Sequence, residues 1–267
     1  MKFITFSAIK GGVGKTTLAF NYAEWLAQEN NSNVLLIDLD HQCNLSQIYD
    51  HYETDGTVGG IFLENSTAVI RKVKDNISLI TGDMHLDQIE TSIENKTNKN
   101  MLLYMWLADN YDALHLDKFD YVIFDTRPDF DTAIKNAIIV SDIILSPITP
   151  SEHGYNAKFN LEERIKELKK EAIDFSTRKS YVTANLFYIA NMVRHNTKSS
   201  HELLNVIEKE KDVLAVIPQK ELFNRSTLDK ISITSMSKDH QTYIRNRKFF
   251  DEINSTFTKL TDKISHT

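Results

Sequence analysis

Two lysines flank a short run of glycines close to the start of the chain. The segment reads Lys10-Gly11-Gly12-Val13-Gly14-Lys15-Thr16-Thr17 and stands between an apolar run and a helical pattern. Glycines let successive backbone N–H groups converge on phosphate oxygens, and the following helix N-terminus favours an anion. In such a loop the last lysine contacts the β- and γ-phosphates of a nucleotide, and the threonine after it ligates Mg²⁺. The segment therefore predicts a phosphate-binding loop in which Lys15 binds phosphate, Thr16 holds Mg²⁺ and Thr17 touches the α-phosphate.

Aspartates close two of the apolar runs farther along the chain. Asp38 and Asp40 end the run 34–40, and Asp125 ends the run 121–125. Alternation along a strand puts Asp38 and Asp40 on one face, at the carboxyl end of the strand. Asp125 is predicted to lie where Mg²⁺ and its waters would sit. A helix N-cap is an alternative role for Asp40, and a cap at the strand end is one for Asp125.

Short apolar runs alternate with longer helical patterns throughout the chain. This alternation predicts an α/β fold: a doubly wound, mostly parallel sheet of about seven strands with helices on both faces. We expect one domain over residues 1–267. The predicted strands are 3–8, 34–38, 77–81, 121–125, 143–148, 181–189 and 213–217. The predicted helices are 15–29, 83–94, 99–113, 130–140, 155–172, 198–210 and 241–264.

Composition excludes several classes of protein. One cysteine among 267 residues excludes a disulfide framework or a cluster that needs several thiolates. No run approaches the roughly 18 apolar residues of a transmembrane helix. The net charge of −6 argues against nucleic-acid binding by the chain as a whole. Residues 1–150 carry 11 basic and 21 acidic side chains, a net −10, whereas residues 151–267 carry 20 and 16, a net +4. A basic surface in the second half remains compatible with these numbers.

The octet from Lys10 to Thr17 resembles the deviant Walker A motif of the ParA/MinD-type ATPases. The resemblance implies ATP and Mg²⁺ as cofactors and a face-to-face ATP-bound dimer, in which Lys10 reaches the phosphates of the partner subunit. A cation supplied in trans would neutralise charge on the phosphates, as an arginine finger does. The segment after residue 37 is similar to the family's D-x-D-P-Q-G-N. It implies that Asp40 orients or activates the attacking water and that Asp38 lies in the Mg²⁺ shell.

Three residues depart from the pattern of that family. His41 stands where proline is usual, Cys43 where glycine is usual, and Arg127 where the segment after Asp125 usually has proline. We expect Arg127 to point into water, and contact with phosphate, a partner subunit or DNA is the alternative. The changes at His41 and Cys43 would alter the switch loop, and the change at Arg127 would retune hydrolysis. The stretch 50–118 matches the family least.

In the second half of the chain, the similarity to the family lies in the order and shape of the segments. Residues 143–150 resemble the strand and turn that follow Walker B. Residues 216–219 resemble the strand and loop that cover the adenine, and this implies that Pro218 and Gln219 line the adenine side of the site.

The family has DNA-binding and membrane-binding branches. Phe250, Ile253, Phe257, Leu260 and Ile264 form one apolar helical stripe, and the polar face beside it mixes Asp, Glu and Lys. A membrane-surface helix favours an excess of Lys and Arg, so this pattern is typical of a helix that packs on the core. Upstream basic residues offer sequence-independent phosphate contacts instead, or simply form a solvated face. They are Arg194, Lys198, Arg225, Lys230, Lys238, Arg245, Arg247 and Lys248, of which Arg194, Lys230, Lys238, Arg245 and Lys248 are the predicted DNA contacts.

By this resemblance we expect a partition ATPase of plasmid or chromosome DNA. Its ATP-bound homodimer would bind DNA without sequence preference. A centromere-binding, ParB-type adaptor would stimulate an otherwise slow hydrolysis. We expect it in the cytoplasm on the nucleoid, with no membrane contact and no N-terminal helix-turn-helix. A MinD-like membrane-positioning ATPase and an ATP-gated scaffold with little turnover are the alternatives.

Overall fold

The computed structural model describes residues 1–194 and 196–267, except for the side chains of residues 152–154 and 156. Eight strands form one sheet in the order β3-β4-β2-β5-β1-β6-β7-β8. Every neighbouring pair is parallel except the antiparallel pair β3 and β4. The strands are β1 (Lys2–Phe6), β2 (Val34–Leu39), β3 (Arg71–Lys74), β4 (Ile77–Ile80), β5 (Tyr121–Thr126), β6 (Ile143–Ile148), β7 (Asn185–Val193) and β8 (Val213–Pro218).

Eleven α-helices lie in the described part of the chain. They are α1 (Lys15–Gln28), α2 (Asn44–Ile48), α3 (Gly59–Phe62), α4 (Leu86–Ser92), α5 (Leu102–Asn110), α6 (Thr132–Val140), α7 (Glu152–Glu171), α8 (Lys198–Ile207), α9 (Glu221–Leu228), α10 (Ile233–Ser237) and α11 (His240–Ser265). Two short 3₁₀ turns cover 99–101 and 116–118. The predicted doubly wound fold is confirmed, with one strand more than expected.

The central strands are buried because helices cover the sheet on both faces. Every residue of β2, β5 and β6 is buried, which explains why these strands read as nearly continuous apolar runs. One hydrophobic cluster joins the sheet to α1 and α11, and a second joins it to α4, α5 and α6 on another part of the sheet surface. These layers fix the carboxyl ends of β1, β2 and β5 next to one another.

The elements of the structure differ from the predicted ones in three ways. The strand predicted at 181–189 runs from Asn185 to Val193, four residues later at both ends. The added strand β3 has the sequence Arg-Lys-Val-Lys and pairs at the sheet edge, where charged side chains remain in water. Four short helices, α2, α3, α9 and α10, were not predicted, because four to eight residues are too few to show a helical period.

Helix α11 packs its apolar stripe on the core. Phe250, Ile253, Phe257, Leu260 and Ile264 are all buried, as the spacing predicted. Tyr22 and Trp25 of α1 contact the Phe257 ring, with centroid distances of 5.3 and 5.9 Å. None of the helices that the structure describes is both long and apolar enough to span a bilayer.

Candidate functional site

The phosphate loop connects β1 to α1 and has the backbone of an anion-binding turn. Gly12 and Gly14 have φ values of 72° and 91°, which L side chains rarely adopt. Gly14 is the N-cap of α1 and offers no side-chain cap, so the first N–H groups of the helix are not capped by it. This geometry suits a phosphate group at the helix N-terminus.

Asn191, at the end of β7, supports the loop from behind. Its Nδ2 donates a hydrogen bond to the Val13 carbonyl at 2.8 Å. A Cβ at Gly14 would lie only 2.5 Å from that nitrogen, so the close approach requires glycine. The sequence analysis missed Asn191. The available signal was a polar residue near the carboxyl end of an apolar strand, but the predicted strand ended at residue 189.

Lys15 is buried at the start of α1. Burial lowers the pKa of its ammonium, and the charges of Asp125, Asp40 and Asp129 act in the opposite direction. The predicted catalytic lysine and two predicted acidic residues are therefore brought together at one site. Thr16 and Thr17 follow Lys15 and are partly exposed at the same end of the helix.

Asp125 lies at the carboxyl end of β5 and is completely buried. Among the residues described, neither of its carboxylate oxygens has a hydrogen-bond partner of good geometry, and the Thr16 hydroxyl is the nearby donor. Burial and the charge of Asp38 raise the pKa of Asp125 well above its ordinary value, and the Thr16 hydroxyl and Lys15 lower it only in part. A buried carboxylate without donors is unfavourable unless something else binds it. The strand-end cap, the alternative role for Asp125, is not what the structure shows.

Asp38 is the register partner of Asp125 on the adjacent strand β2. One oxygen accepts hydrogen bonds from the Ser46 N–H at 2.9 Å and the Ser46 hydroxyl at 2.7 Å. The other accepts the Asp40 N–H at 3.2 Å. Burial raises the pKa of Asp38 to about 6 in spite of these three bonds.

Asp40 begins the segment between β2 and α2. Its Oδ1 accepts the Gln42 N–H at 2.9 Å and does not cap α2, whose N-cap is Cys43. The N-cap role considered for Asp40 is therefore wrong. The carboxylate that caps this helix comes from Asp38, which accepts a hydrogen bond from the Ser46 N–H in the first turn of α2. Asp40 remains close enough to Lys15 for its charge to act on the ammonium.

Cys43 has a φ of 53°, the left-handed conformation that glycine adopts most easily. This accounts for the glycine that is usual at this position in the ParA/MinD-type segment. Burial raises the pKa of the Cys43 thiol to about 12, so the sulfur is protonated at neutral pH. A protonated, buried thiol is a poor nucleophile.

Arg127 does not point into water, and that expectation was wrong. The side chain is only 7% exposed and forms ion pairs with Glu90, Asp129 and Asp131. Its Nη1 lies 3.5 Å from His41 Nδ1, so two of the three residues that depart from the family pattern touch each other. Burial of a guanidinium requires such partners.

The predicted adenine residues lie beside the phosphate loop. Pro218 and Gln219 line a cleft together with Gly14, Asn191 and Phe223. Gln219 is fixed there by two hydrogen bonds: its N–H donates to the Val193 carbonyl at 2.9 Å, and its Oε1 accepts from Arg194 Nε at 2.5 Å. A second cleft of about 500 Å³ adjoins Thr16 and Thr17 and extends along α2 towards Leu228.

The predicted DNA-binding residues fall into two groups. Arg194 bonds Gln219, Lys230 bonds Asp50 and Tyr52, and Lys238 bonds Gln28. Arg245 and Lys248 are exposed near the start of α11, and neither forms an ion pair with another described side chain. The structure therefore does not bring the five residues into one set of equally available cations.

Lys10 is partly exposed at the outer edge of the phosphate loop. Its Nζ lies 3.4 Å from Ser151 Oγ, on the loop that follows β6. In contrast with Lys15, it does not line the buried aspartates. The two lysines of the opening motif thus face different surroundings.

Comparisons with known proteins show the family of the chain. The family model AAA_31, described as an AAA domain, matches residues 1–179. The chain belongs to this P-loop family. A virulence plasmid ParA family protein of Chlamydia psittaci is 32% identical over 161 residues, which cover 56% of this chain and 58% of that protein's length. The predicted ParA/MinD type is confirmed.

Two solved structures share the fold over almost the whole chain. A plasmid partition protein of Borrelia burgdorferi bound to AMPPNP is 24% identical, with a TM-score of 0.78 and coverage of 98% of this chain and 99% of that one. The septum site-determining protein MinD of Pyrococcus horikoshii, in complex with Mg-ADP, is 15% identical, with a TM-score of 0.68 and coverage of 97% and 95%.

Proposed function

We propose that this ParA-type protein is an ATPase that segregates DNA. The observation that carries the proposal is the meeting of Lys15, Asp38, Asp40 and Asp125 at the end of a phosphate loop. The relatives in the same family, and the nucleotides held by the two solved structures, support ATP with Mg²⁺ as the ligand. We take residues 1–267 as one ATPase domain.

The residues present fit a magnesium nucleotide. Mg²⁺ takes oxygen ligands and keeps several waters. The Thr16 hydroxyl and the two unpartnered oxygens of Asp125 supply such oxygens, whereas the described residues include no group of three or more His, Cys, Asp or Glu arranged to hold a metal alone. We assign Thr16 and Asp125 to the metal, and Asp38 to its outer shell because its own oxygens already accept three protein hydrogen bonds.

The phosphate loop would hold the nucleotide from Lys10 to Thr17. Backbone groups of Gly11, Gly12, Val13 and Gly14 bind phosphate oxygens, Lys15 neutralises the β- and γ-phosphates, and Thr17 contacts the α-phosphate. The lowered pKa of Lys15 reflects its burial, and a phosphate beside it would favour the charged ammonium. Pro218 and Gln219 then lie on the adenine side, next to Gly14.

Hydrolysis needs a water in line with the γ-phosphate. Asp40 is buried beside Lys15, and one of its oxygens is used by the Gln42 N–H, so the other is left to orient or activate water. Lys10 lies at the rim and would reach the phosphates of a second subunit, where a cation stabilises the developing charge. Dimerisation would then depend on ATP. Slow turnover without a partner is the expected behaviour.

DNA binding is assigned to the basic second half. Arg245 and Lys248 are the most available of the predicted contacts, because Arg194, Lys230 and Lys238 already bond neighbouring side chains. Contacts of this kind bind phosphates without sequence preference and weaken as salt is added. A ParB-type centromere-binding partner would stimulate hydrolysis and release the protein from the nucleoid in the cytoplasm.

Co-sedimentation tests the DNA assignment directly. The purified protein is spun with random-sequence DNA and, separately, with anionic liposomes, each with ATP, ADP or no nucleotide at low and moderate salt. We expect ATP-dependent DNA binding that fades with salt. Arg245→Gln with Lys248→Gln should reduce binding about tenfold or more, whereas the matched exposed pair Lys259→Gln with Lys263→Gln on the same helix should not.

Variants of the loop separate the proposed roles. Lys15→Ala should lose ATP binding, and Lys10→Ala should lose ATP-dependent dimerisation and DNA binding. Asp40→Ala should keep the ATP dimer but lose turnover. Normal hydrolysis by Asp40→Ala would contradict the assignment of the attacking water.

A MinD-like role on membranes is the second candidate, favoured only by the shared fold. The apolar stripe of α11 is already buried against α1 and the sheet and is therefore not available for lipid. Liposome binding without DNA binding would support this candidate nonetheless. A phosphate-release assay distinguishes either ATPase from a scaffold that binds ATP without turning it over.

A further inference from the structure

Arg127 occupies a buried position immediately after β5, two residues beyond Asp125. Its guanidinium forms ion pairs with three carboxylates. Its Nη2 lies 2.6 Å from Glu90 Oε2 and 2.6 Å from Asp131 Oδ2, and its Nε pairs with Asp129. Glu90 belongs to α4, and its other oxygen accepts the Ala133 N–H at 2.6 Å in the first turn of α6. The arginine thus joins α4, α6 and the loop 127–131.

That loop also lies against the phosphate loop. Pro128 packs on Gly11, where an added Cβ would be 3.6 Å from Pro128 Cγ. The Asp129 carboxylate is close enough to Lys15 for its charge to oppose the lowering of the lysine pKa. The position of the 127–131 loop is therefore linked to the position of the residues proposed to bind phosphate.

On its other side Arg127 contacts the segment that carries Asp40. Its Nη1 lies 3.5 Å from His41 Nδ1, and the same ring nitrogen is 3.9 Å from Asp40 Oδ1. Because His41 is the residue next to Asp40 in the chain, its contact with Arg127 ties the segment that carries Asp40 to the ion-pair cluster. Asp40 Oδ1 is left with the Gln42 N–H as its bond.

We propose that Arg127 is a positioning residue for ATP hydrolysis, because its contact with His41 and its ion pairs in the 127–131 loop hold the chain segment of Asp40 next to the phosphate loop. The inference rests on the proposed function. A planar guanidinium with five donors can meet three carboxylates and an imidazole at once, whereas a lysine ammonium is a single point charge. Stability alone does not explain the cluster, because buried ion pairs are often no more stabilising than apolar packing.

The test compares Arg127→Lys, which keeps the charge, with the complete removal of a buried cation elsewhere. Lys158 is equally buried and pairs with Glu210 and Asp212 near the start of β8, away from the carboxyl ends of β1, β2 and β5. Lys158→Gln therefore serves as the control for loss of a buried cation. ATP affinity, kcat and the melting temperature are measured for the wild type and both variants.

We expect Arg127→Lys to lower kcat about tenfold or more, because small displacements of a catalytic group have effects of that size. Its affinity for ATP should stay within about twofold, and Lys158→Gln should lower the melting temperature without changing kcat. His41→Ala should lower kcat similarly, and the double variant with Arg127→Lys should be no slower than the slower single variant.

Three results would overturn the proposal: an unchanged kcat in Arg127→Lys, a loss that Lys158→Gln matches, or effects of the two substitutions that multiply. If Arg127→Lys does not fold, the partly exposed His41 carries the test, and a normal kcat in His41→Ala overturns it. A wild-type protein that binds ATP without hydrolysing it would refute the proposed ATPase instead.

Discussion

The carboxyl ends of β2 and β5 each hold a fully buried aspartate, and the two residues are register partners. Asp38 on β2 accepts three hydrogen bonds from the protein. In the described part of the chain Asp125 on β5 accepts none of good geometry, and the nearby Thr16 hydroxyl lowers its pKa only in part. The sequence patterns of the two strand ends are nearly the same, but their chemistry is not.

This difference separates a structural role from a binding role. The bonds to Asp38 organise α2 and the segment that carries Asp40, so its charge is used within the fold. Asp125 carries the cost of burial without that compensation, as expected for a group that acquires its partner with the ligand. The more unfavourable of the two environments is the better candidate for the metal.

Asp125→Asn should have the largest effect in this comparison. Magnesium-dependent turnover should fall at least about a hundredfold, because charge beside the metal contributes several kcal/mol to the transition state. The nucleotide-free protein should become more stable by about 1–3 kcal/mol, since the substitution removes a buried acid group whose desolvation is poorly compensated by hydrogen bonds. Phosphate release and urea unfolding measure the two effects.

Asp120→Asn is a suitable control, because Asp120 precedes the same strand and bonds the Asn33 N–H at the surface. It should leave turnover unchanged. Retained turnover in Asp125→Asn, or a loss of stability in its nucleotide-free form, would mean that the Asp125 carboxylate is as well hydrogen-bonded within the protein as that of Asp38.

Local sequence patterns predicted both strand ends because each depends on residues next to one another in the chain. The glycine run, the apolar strands and the acids that close them lie within segments of about ten residues. Their meeting follows from the parallel sheet, in which carboxyl ends share one edge. The opening octet therefore indicated both the phosphate loop and the type of fold.

Contacts between distant segments could not be predicted in this way. Arg127 was expected in water because nothing adjacent to it shows that Glu90 and His41 surround it. Asn191 supports Val13 across 178 positions of sequence. The partition of hydrogen bonds between Asp38 and Asp125 likewise depends on Ser46, which belongs to a five-residue helix with no sequence period of its own.

The pH dependence of stability provides a second test of the β2 end. Since the pKa of Asp38 is raised to about 6 in the folded protein, the folded state binds its proton more tightly than the unfolded state. The stabilisation of the folded state by this bound proton is fully present below about pH 4 and is lost as the pH rises through 6. Between pH 4 and pH 7 the nucleotide-free wild type should lose about 2–3 kcal/mol more than Asp38→Asn. Urea unfolding at both pH values measures this, and equal losses would show that Asp38 does not titrate as proposed.

Gly82 tests how closely the β2 end is packed. A Cβ there would lie 2.9 Å from Cys43 Sγ and 3.0 Å from Asp38 Cγ. Gly82→Ala should therefore destabilise the protein by about 1–3 kcal/mol through overpacking. Adding Cys43→Gly should recover part of that loss, because it removes the sulfur and relaxes a residue with φ of 53°. Thermal unfolding of both variants decides the point, and a double variant less stable than Gly82→Ala would contradict the packing explanation.

Ser46→Ala should have the smallest effect, and it makes the β2 end more like the β5 end. The substitution removes the hydroxyl bonds to Asp38 Oδ2 and from the Gly82 N–H, but leaves the Ser46 N–H bond to Asp38 in place. The loss should be about 1–2 kcal/mol at neutral pH, where Asp38 is charged, and smaller at pH 4. Because the hydroxyl lowers the pKa of Asp38, the variant should also lose stability over a pH range shifted upward. Ser255→Ala, at an exposed site on α11, is the control for urea unfolding. A Ser46→Ala protein as stable as this control would mean that Asp38 does not depend on its hydrogen bonds, and the contrast with Asp125 would then require another explanation.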